Sequence, residues 1–105
     1  MKLIVYILEV SFATVEIRSY FENDEICIEK FGYDSTQSIL ARFADIKSSK
    51  TLVDIEFFTI LDAHNNIIKI FINKDHNLIC ECIPKDNLAN ISLSKIKRLK
   101  IIQIS

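Results

Sequence analysis

The chain has 105 residues, which is enough for one domain and too few for two. Hydrophobic residues make up 50% of it and charged residues 26%, a composition that excludes a disordered chain. The formal net charge of −1 does not favour a polyanion-binding protein, and no run reaches the roughly 20 apolar residues of a membrane span.

The N-terminal third predicts strands. Residues 2–10 are apolar on both alternating faces, which predicts a buried, central strand. The start looks like a signal peptide, but Glu9 ends the apolar run and no cleavage site follows. Residues 13–20 alternate with period two and predict a half-exposed strand, although a helix through 11–21 is also compatible. A polar turn at 22–25 and the run 26–31 complete a predicted hairpin.

A change of period then predicts the main helix. Asp34 and Ser35 are suitable N-cap residues, and after them the apolar residues fall at helical spacing. The predicted helix runs from about 36 to 47, with one stripe packed on the sheet, formed by Ile39, Leu40, Phe43 and Ile46.

Residues 51–83 predict a three-stranded meander. Two short loops rich in Asn and Asp, at 62–66 and 73–77, separate three β-rich runs. Ile68, Ile70 and Ile72 should point to one face, and Pro84 should end the third strand. Residues 86–99 are ambiguous: Ser92 could cap a short C-terminal helix. Residues 100–104 could add a last strand with Ile102 and Ile104 inward.

The predicted fold is therefore a single α+β domain over residues 1–105. Its sheet should be mainly antiparallel, with two hairpins or a meander and about five to six strands. One main helix at 36–47 and the alternative short C-terminal helix should pack on it.

Missing glycines exclude several enzyme classes. Phosphate-binding loops and the nucleophile elbow of serine hydrolases need several glycines at fixed spacing, whereas Gly32 is the only glycine in this sequence. We therefore expect a protein that is not an enzyme and that holds no cofactor.

The cysteines and histidines favour structural roles. An odd number of cysteines in apolar stretches is typical of reduced thiols, which predicts a cytoplasmic protein. Cys80 and Cys82 should share one strand face about 7 Å apart, as buried side chains rather than zinc ligands. His64 and His76 fall in predicted loops, where solvated turn residues are expected.

Two clusters of charged residues suggest alternative functions. Asp54 and Glu56 could hold a metal ion in a small metal-dependent enzyme, but the solvent face of a strand is the preferred interpretation. The basic cluster of Lys95, Lys97, Arg98 and Lys100 could contact phosphates, which gives the alternative hypothesis of a small nucleic-acid-binding or phage regulatory module. The cluster holds no aromatic residue for base stacking.

The most site-like group surrounds the predicted first hairpin. Carboxylates there rim aromatic residues, a combination suited to a basic protein surface. The candidate partner-binding residues, with Asp54 and Glu56 added, are Glu16, Tyr20, Glu22, Asp24, Glu25, Glu29 and Tyr33.

In overall character the chain is similar to bacterial toxin-immunity proteins of contact-dependent growth inhibition systems. The features that carry the resemblance are a small Ile-rich α+β domain without catalytic motifs and acidic residues gathered at 22–25 and Glu29. The resemblance implies a cytoplasmic protein that binds one cognate toxin domain, often a nuclease, and covers its basic active site. The near-zero net charge departs from a strongly acidic inhibitor.

Overall fold

A computed structural model describes residues 8–83 and 95–105, which form one five-stranded sheet and three helices. In chain order the elements are β1 (Glu9–Phe12), α1 (Val15–Glu22), α2 (Asp24–Phe31), α3 (Tyr33–Ser48), β2 (Phe58–Asp62), β3 (Ile67–Phe71), β4 (Asn77–Ile83) and β5 (Arg98–Ile104). The α+β class is confirmed.

The sheet is mixed, with strand order β1-β5-β4-β3-β2. Three of its pairings are antiparallel, and β1 pairs with β5 in parallel. The predicted meander is confirmed as β2, β3 and β4. Most of the predicted strand over residues 2–10 lies outside the described residues. Its described end belongs to β1, which occupies an edge, so the expected central position is wrong there.

The predicted first hairpin is wrong, because its two strands are helices α1 and α2. Thr14 caps α1, because its side chain accepts a hydrogen bond from the backbone amide of Ile17. Asn23 caps α2 in the same way, by accepting from the backbone amides of Glu25 and Ile26. The polar residues expected to form a hairpin turn therefore separate two helices. The apolar residues also repeat at helical spacing, so that Tyr20 becomes buried.

The main helix is confirmed, with a longer extent than expected. The N-cap residue of α3 is Gly32 rather than Asp34 or Ser35. The helix therefore begins without a capping hydrogen bond from a side chain. Gly32 also ends α2, with φ 87° and ψ 164°, a conformation that only glycine adopts readily. This conformation lets the same residue end α2 and begin α3.

One hydrophobic core joins the helices to a single face of the sheet. The strand register places the buried residues of β3, β4 and β5 on that face, and α1, α2 and α3 add their own buried side chains. The predicted inward residues Ile68, Ile70 and Ile72 are all buried.

The last strand is confirmed, and of its two predicted inward residues Ile104 is right and Ile102 is wrong. Leu99 and Ile101 are buried and Ile104 packs against the core, whereas Ile102 is not part of it. The register shifts between Ile79 and Cys80, so that Ile102 has no partner on β4. This bulge changes which residues of β5 face the core. Ser92, the predicted cap of the alternative C-terminal helix, lies outside the described residues, and the predicted end of that helix is wrong because Leu99 belongs to β5.

Asp54 and Glu56 do not lie on a strand face, contrary to prediction. Asp54 ends a short 3-10 turn, Leu52–Asp54, and Glu56 lies in the bend before β2. Phe57, next along the chain, has a positive φ of 61°, which interrupts extended backbone immediately before β2. The alternation read from residues 53–57 therefore does not correspond to a strand.

Candidate functional site

A groove with a volume of about 400 Å³ runs between α1 and α2. Its described lining consists of Glu16, Ser19, Tyr20, Ile26, Glu29 and Lys30. Three of these side chains were predicted partner-binding residues. Ile26 is 39% exposed, so the groove combines an accessible apolar surface with carboxylates at its sides. We call this feature the acidic groove.

Tyr20 is the most tightly held residue of the acidic groove. Its hydroxyl donates a hydrogen bond of 2.8 Å to the carboxylate of Glu16, one helical turn earlier. This bond is the main cause of a raised Tyr20 pKa, and burial adds to it. The ring packs edge-on against Phe31, with centroids 5.1 Å apart, so α1 and α2 are fixed to each other here.

The remaining acidic residues of α1 and α2 are exposed and differ in their pairing. Glu22 accepts a 2.6 Å hydrogen bond from Arg18 and is therefore partly neutralised. Asp24 and Glu25 lie in the first turn of α2, where the helix dipole favours negative charge. Residues 15–31 carry five acidic and two basic side chains, a net charge of −3.

Tyr33 is close in sequence but does not line the acidic groove. It is the first residue of α3 and is 64% exposed.

Asp54 and Glu56 line a different cleft, with a volume of about 300 Å³. Its described lining shares no residue with the acidic groove. Asp54 accepts hydrogen bonds from the backbone amides of Lys50 and Thr51, at 3.3 and 3.2 Å, which is a local structural role. Five of the nine predicted partner-binding residues are therefore divided between two separate clefts.

The described cysteines are buried thiols without disulfides. Burial raises the pKa of Cys80 to about 12 and that of Cys82 to about 11. Within residues 8–83 and 95–105, no three His, Cys, Asp or Glu side chains are grouped to hold a metal ion. His64 is exposed in the turn after β2, and the ring of His76 contacts Phe31.

Two members of the predicted basic cluster are ion-paired with carboxylates. Arg98 lies 3.0 Å from Glu9, and Lys100 lies 3.1 Å from Glu81. Both pairs connect neighbouring strands, and they reduce the positive charge available to a phosphate backbone.

Sequence reasoning missed an apolar cleft beside β1. Phe12, Phe21 and Phe43 come together there from β1, α1 and α3, with ring centroids 4.6 to 5.9 Å apart. The helical spacing of Ile17, Tyr20 and Phe21 could have predicted the helix that carries Phe21 to this cleft. The interpretation of residues 13–20 as a strand of period two excluded that helix.

None of the helices in the described ranges combines the length and apolarity needed to cross a bilayer. In the comparisons with known proteins, no protein-family model, curated protein or solved structure matches this chain.

Proposed function

We propose that this chain is a non-catalytic immunity protein that binds a cognate bacterial toxin domain and covers its basic active site. The observation that supports it is the acidic groove. There a fixed Tyr20–Glu16 pair, exposed Ile26 and exposed Glu29 lie on one surface. Toxins that cleave nucleic acids need positive charge for their polyanionic substrate, so such a surface complements them.

The groove has the chemistry to receive a lysine or arginine side chain. The aliphatic stem of that side chain would lie on Ile26, and its charged end would lie near Glu16 and Glu29. Glu16 keeps acceptor capacity because a carboxylate has about four acceptor positions and Tyr20 occupies one. Asp24 and Glu25 extend the negative surface and would act on the rate of encounter.

The experiment uses the protein domain encoded by the gene immediately upstream of this chain. Its association with this chain is measured at several salt concentrations, together with its toxicity when the two are co-expressed in bacteria. Changing Asp24 and Glu25 to Lys should slow association about tenfold at low salt, and the difference should shrink as salt rises. Glu29→Lys should additionally speed dissociation.

A matched control changes Glu9 and Glu81 to Lys, which alters the net charge equally. Both of these side chains pair with β5 side chains, and neither lines the acidic groove. Equal slowing by both double variants would exclude the acidic groove as the binding surface. Unchanged toxicity in the presence of the wild-type chain would exclude the immunity function.

The alternative, a small nucleic-acid-binding module, has less support. It relies on Lys95, Lys97, Arg98 and Lys100, and two of these are engaged by carboxylates. Affinity for RNA or DNA at low salt that disappears when these four residues are neutralised would favour the alternative over the immunity function.

A further inference from the structure

The apolar cleft beside β1 has the dimensions of a small-molecule site. Its volume is about 520 Å³, within the roughly 300 to 1,000 Å³ of typical ligand pockets. The described side chains that line it come from β1, α1, α3 and the residue before β1. They are Leu8, Glu9, Val10, Phe12, Phe21, Glu22, Phe43 and Lys47.

Three aromatic rings form the apolar wall of this cleft. Phe21 and Phe43 have centroids 4.6 Å apart, and Phe12 lies 5.3 Å from Phe21 and 5.9 Å from Phe43. All three rings pack on the core yet remain partly exposed to the cleft. Each ring belongs to a different element, so the wall is held by the fold and not by one segment.

The charges around the cleft are not equally available. Glu9 is paired with Arg98 at 3.0 Å, and Glu22 with Arg18 at 2.6 Å. Among the described residues, Lys47 has no carboxylate partner, and its ammonium group lies 5.4 Å from the centroid of the Phe43 ring. The uncompensated charge next to the aromatic wall is therefore positive.

We propose that this cleft binds a small-molecule carboxylate with an apolar tail. The tail would lie against Phe12, Phe21 and Phe43, where burial of apolar surface supplies most of the affinity. The carboxylate would pair with the ammonium group of Lys47, which lies over the Phe43 ring. This site is separate from the acidic groove, because the two share no lining residue.

The test compares sodium octanoate with octylamine, which has the same number of carbon atoms and the opposite charge. Titration calorimetry at pH 7 should give tighter binding of octanoate by the wild-type chain. Lys47 is exposed, so an exposed ion pair of ordinary strength predicts octanoate binding weaker by about 1.5- to fivefold in Lys47→Ala. Lys47→Glu should reverse the preference and favour octylamine.

A charge control uses Lys74→Glu, which changes the net charge as Lys47→Glu does. Lys74 is exposed in the turn between β3 and β4, elements that contribute no residue to the cleft. This variant should keep the preference for octanoate. An equal effect of the two lysine variants would overturn the assignment of Lys47.

A second measurement on the wild-type chain locates the site without any variant. Addition of octanoate should shift the backbone amide NMR signals of Val10, Phe21 and Phe43, and leave those of the acidic groove in place. No binding at millimolar octanoate, equal binding of octylamine, or shifts confined to other elements would each overturn the proposal.

Discussion

The hydroxyl of Tyr20 donates a hydrogen bond to the carboxylate of Glu16, with 2.8 Å between the two oxygens. The bond can form only while Tyr20 carries its proton, and a phenolate would face the negative carboxylate directly. Glu16 therefore raises the pKa of Tyr20 from its ordinary value of 10.0, first through the hydrogen bond and also through its charge.

Glu16→Gln should lower the pKa of Tyr20 toward 10.0, because it removes the charge and leaves only a weaker acceptor. The measurement is an ultraviolet titration of phenolate formation, in which the spectrum of a Tyr20→Phe variant is subtracted to isolate Tyr20. A Tyr20 pKa that does not respond to Glu16→Gln would contradict the role given to this bond.

The same bond predicts a dependence of stability on pH. Because the pKa of Tyr20 is higher in the folded chain than in the unfolded one, its contribution is complete below pH 10. The contribution is lost as pH rises from there through the folded-state pKa. Urea unfolding at stepped pH should show a steeper alkaline loss for the wild-type chain than for Tyr20→Phe.

Gly32→Ala should destabilise the fold by about 1 to 3 kcal/mol, the cost of a strained backbone position. The φ of 87° and ψ of 164° at Gly32 cause this effect, since a Cβ added there would meet no atom within 4 Å. Urea unfolding measures the change. Gln37→Ala, on the exposed side of α3, is the control and should stay within about 0.5 kcal/mol. A neutral Gly32→Ala would show that α2 and α3 can be joined without this conformation.

Asp54→Ala should cost about 1 kcal/mol, the usual value for loss of a capping side chain. The carboxylate of Asp54 accepts hydrogen bonds from the backbone amides of Lys50 and Thr51. At the start of the 3-10 turn these amides have no acceptor within the turn itself. Glu56→Ala removes a nearby exposed carboxylate and should be close to neutral. Equal losses for the two variants in thermal or urea unfolding would contradict the capping role.

The thiols of Cys80 and Cys82 should react with a disulfide reagent at pH 8 about two orders of magnitude more slowly in the folded chain than in urea. Burial raises their pKa values to about 12 and about 11, so almost no thiolate is present, and it also blocks access. The reaction is followed by release of the coloured leaving thiol. Rapid labelling of either cysteine in the native chain would show that β4 opens readily.

Local patterns identified the elements whose period was unambiguous. The helical stripe of Ile39, Phe43 and Ile46 and the alternation of Ile68, Ile70 and Ile72 are both observed as predicted. Cys80 and Cys82 are buried on one strand face for the same reason.

Residues 13–31 show where local patterns are insufficient. Their apolar residues fit both a period of two and a period of 3.6, so propensity could not choose between strand and helix. The caps at Thr14 and Asn23 and the packing of Tyr20, Cys27 and Phe31 against the core favour the helices. The interpretation of these residues as strands also placed the predicted site around a hairpin. Its carboxylates lie instead on two helices.

By itself, the sequence determined the α+β class, the main helix and the meander, because each depends on contacts between near neighbours in the chain. The tertiary structure alone decided three features: the parallel pairing of β1 with β5, the acidic groove between α1 and α2, and the aromatic cleft where Phe12 meets Phe43. The strand pairing and the aromatic cleft join residues far apart in sequence, and the acidic groove forms only where α1 packs beside α2. Their formation depends on how the elements pack together, which periodicity and residue preference do not encode.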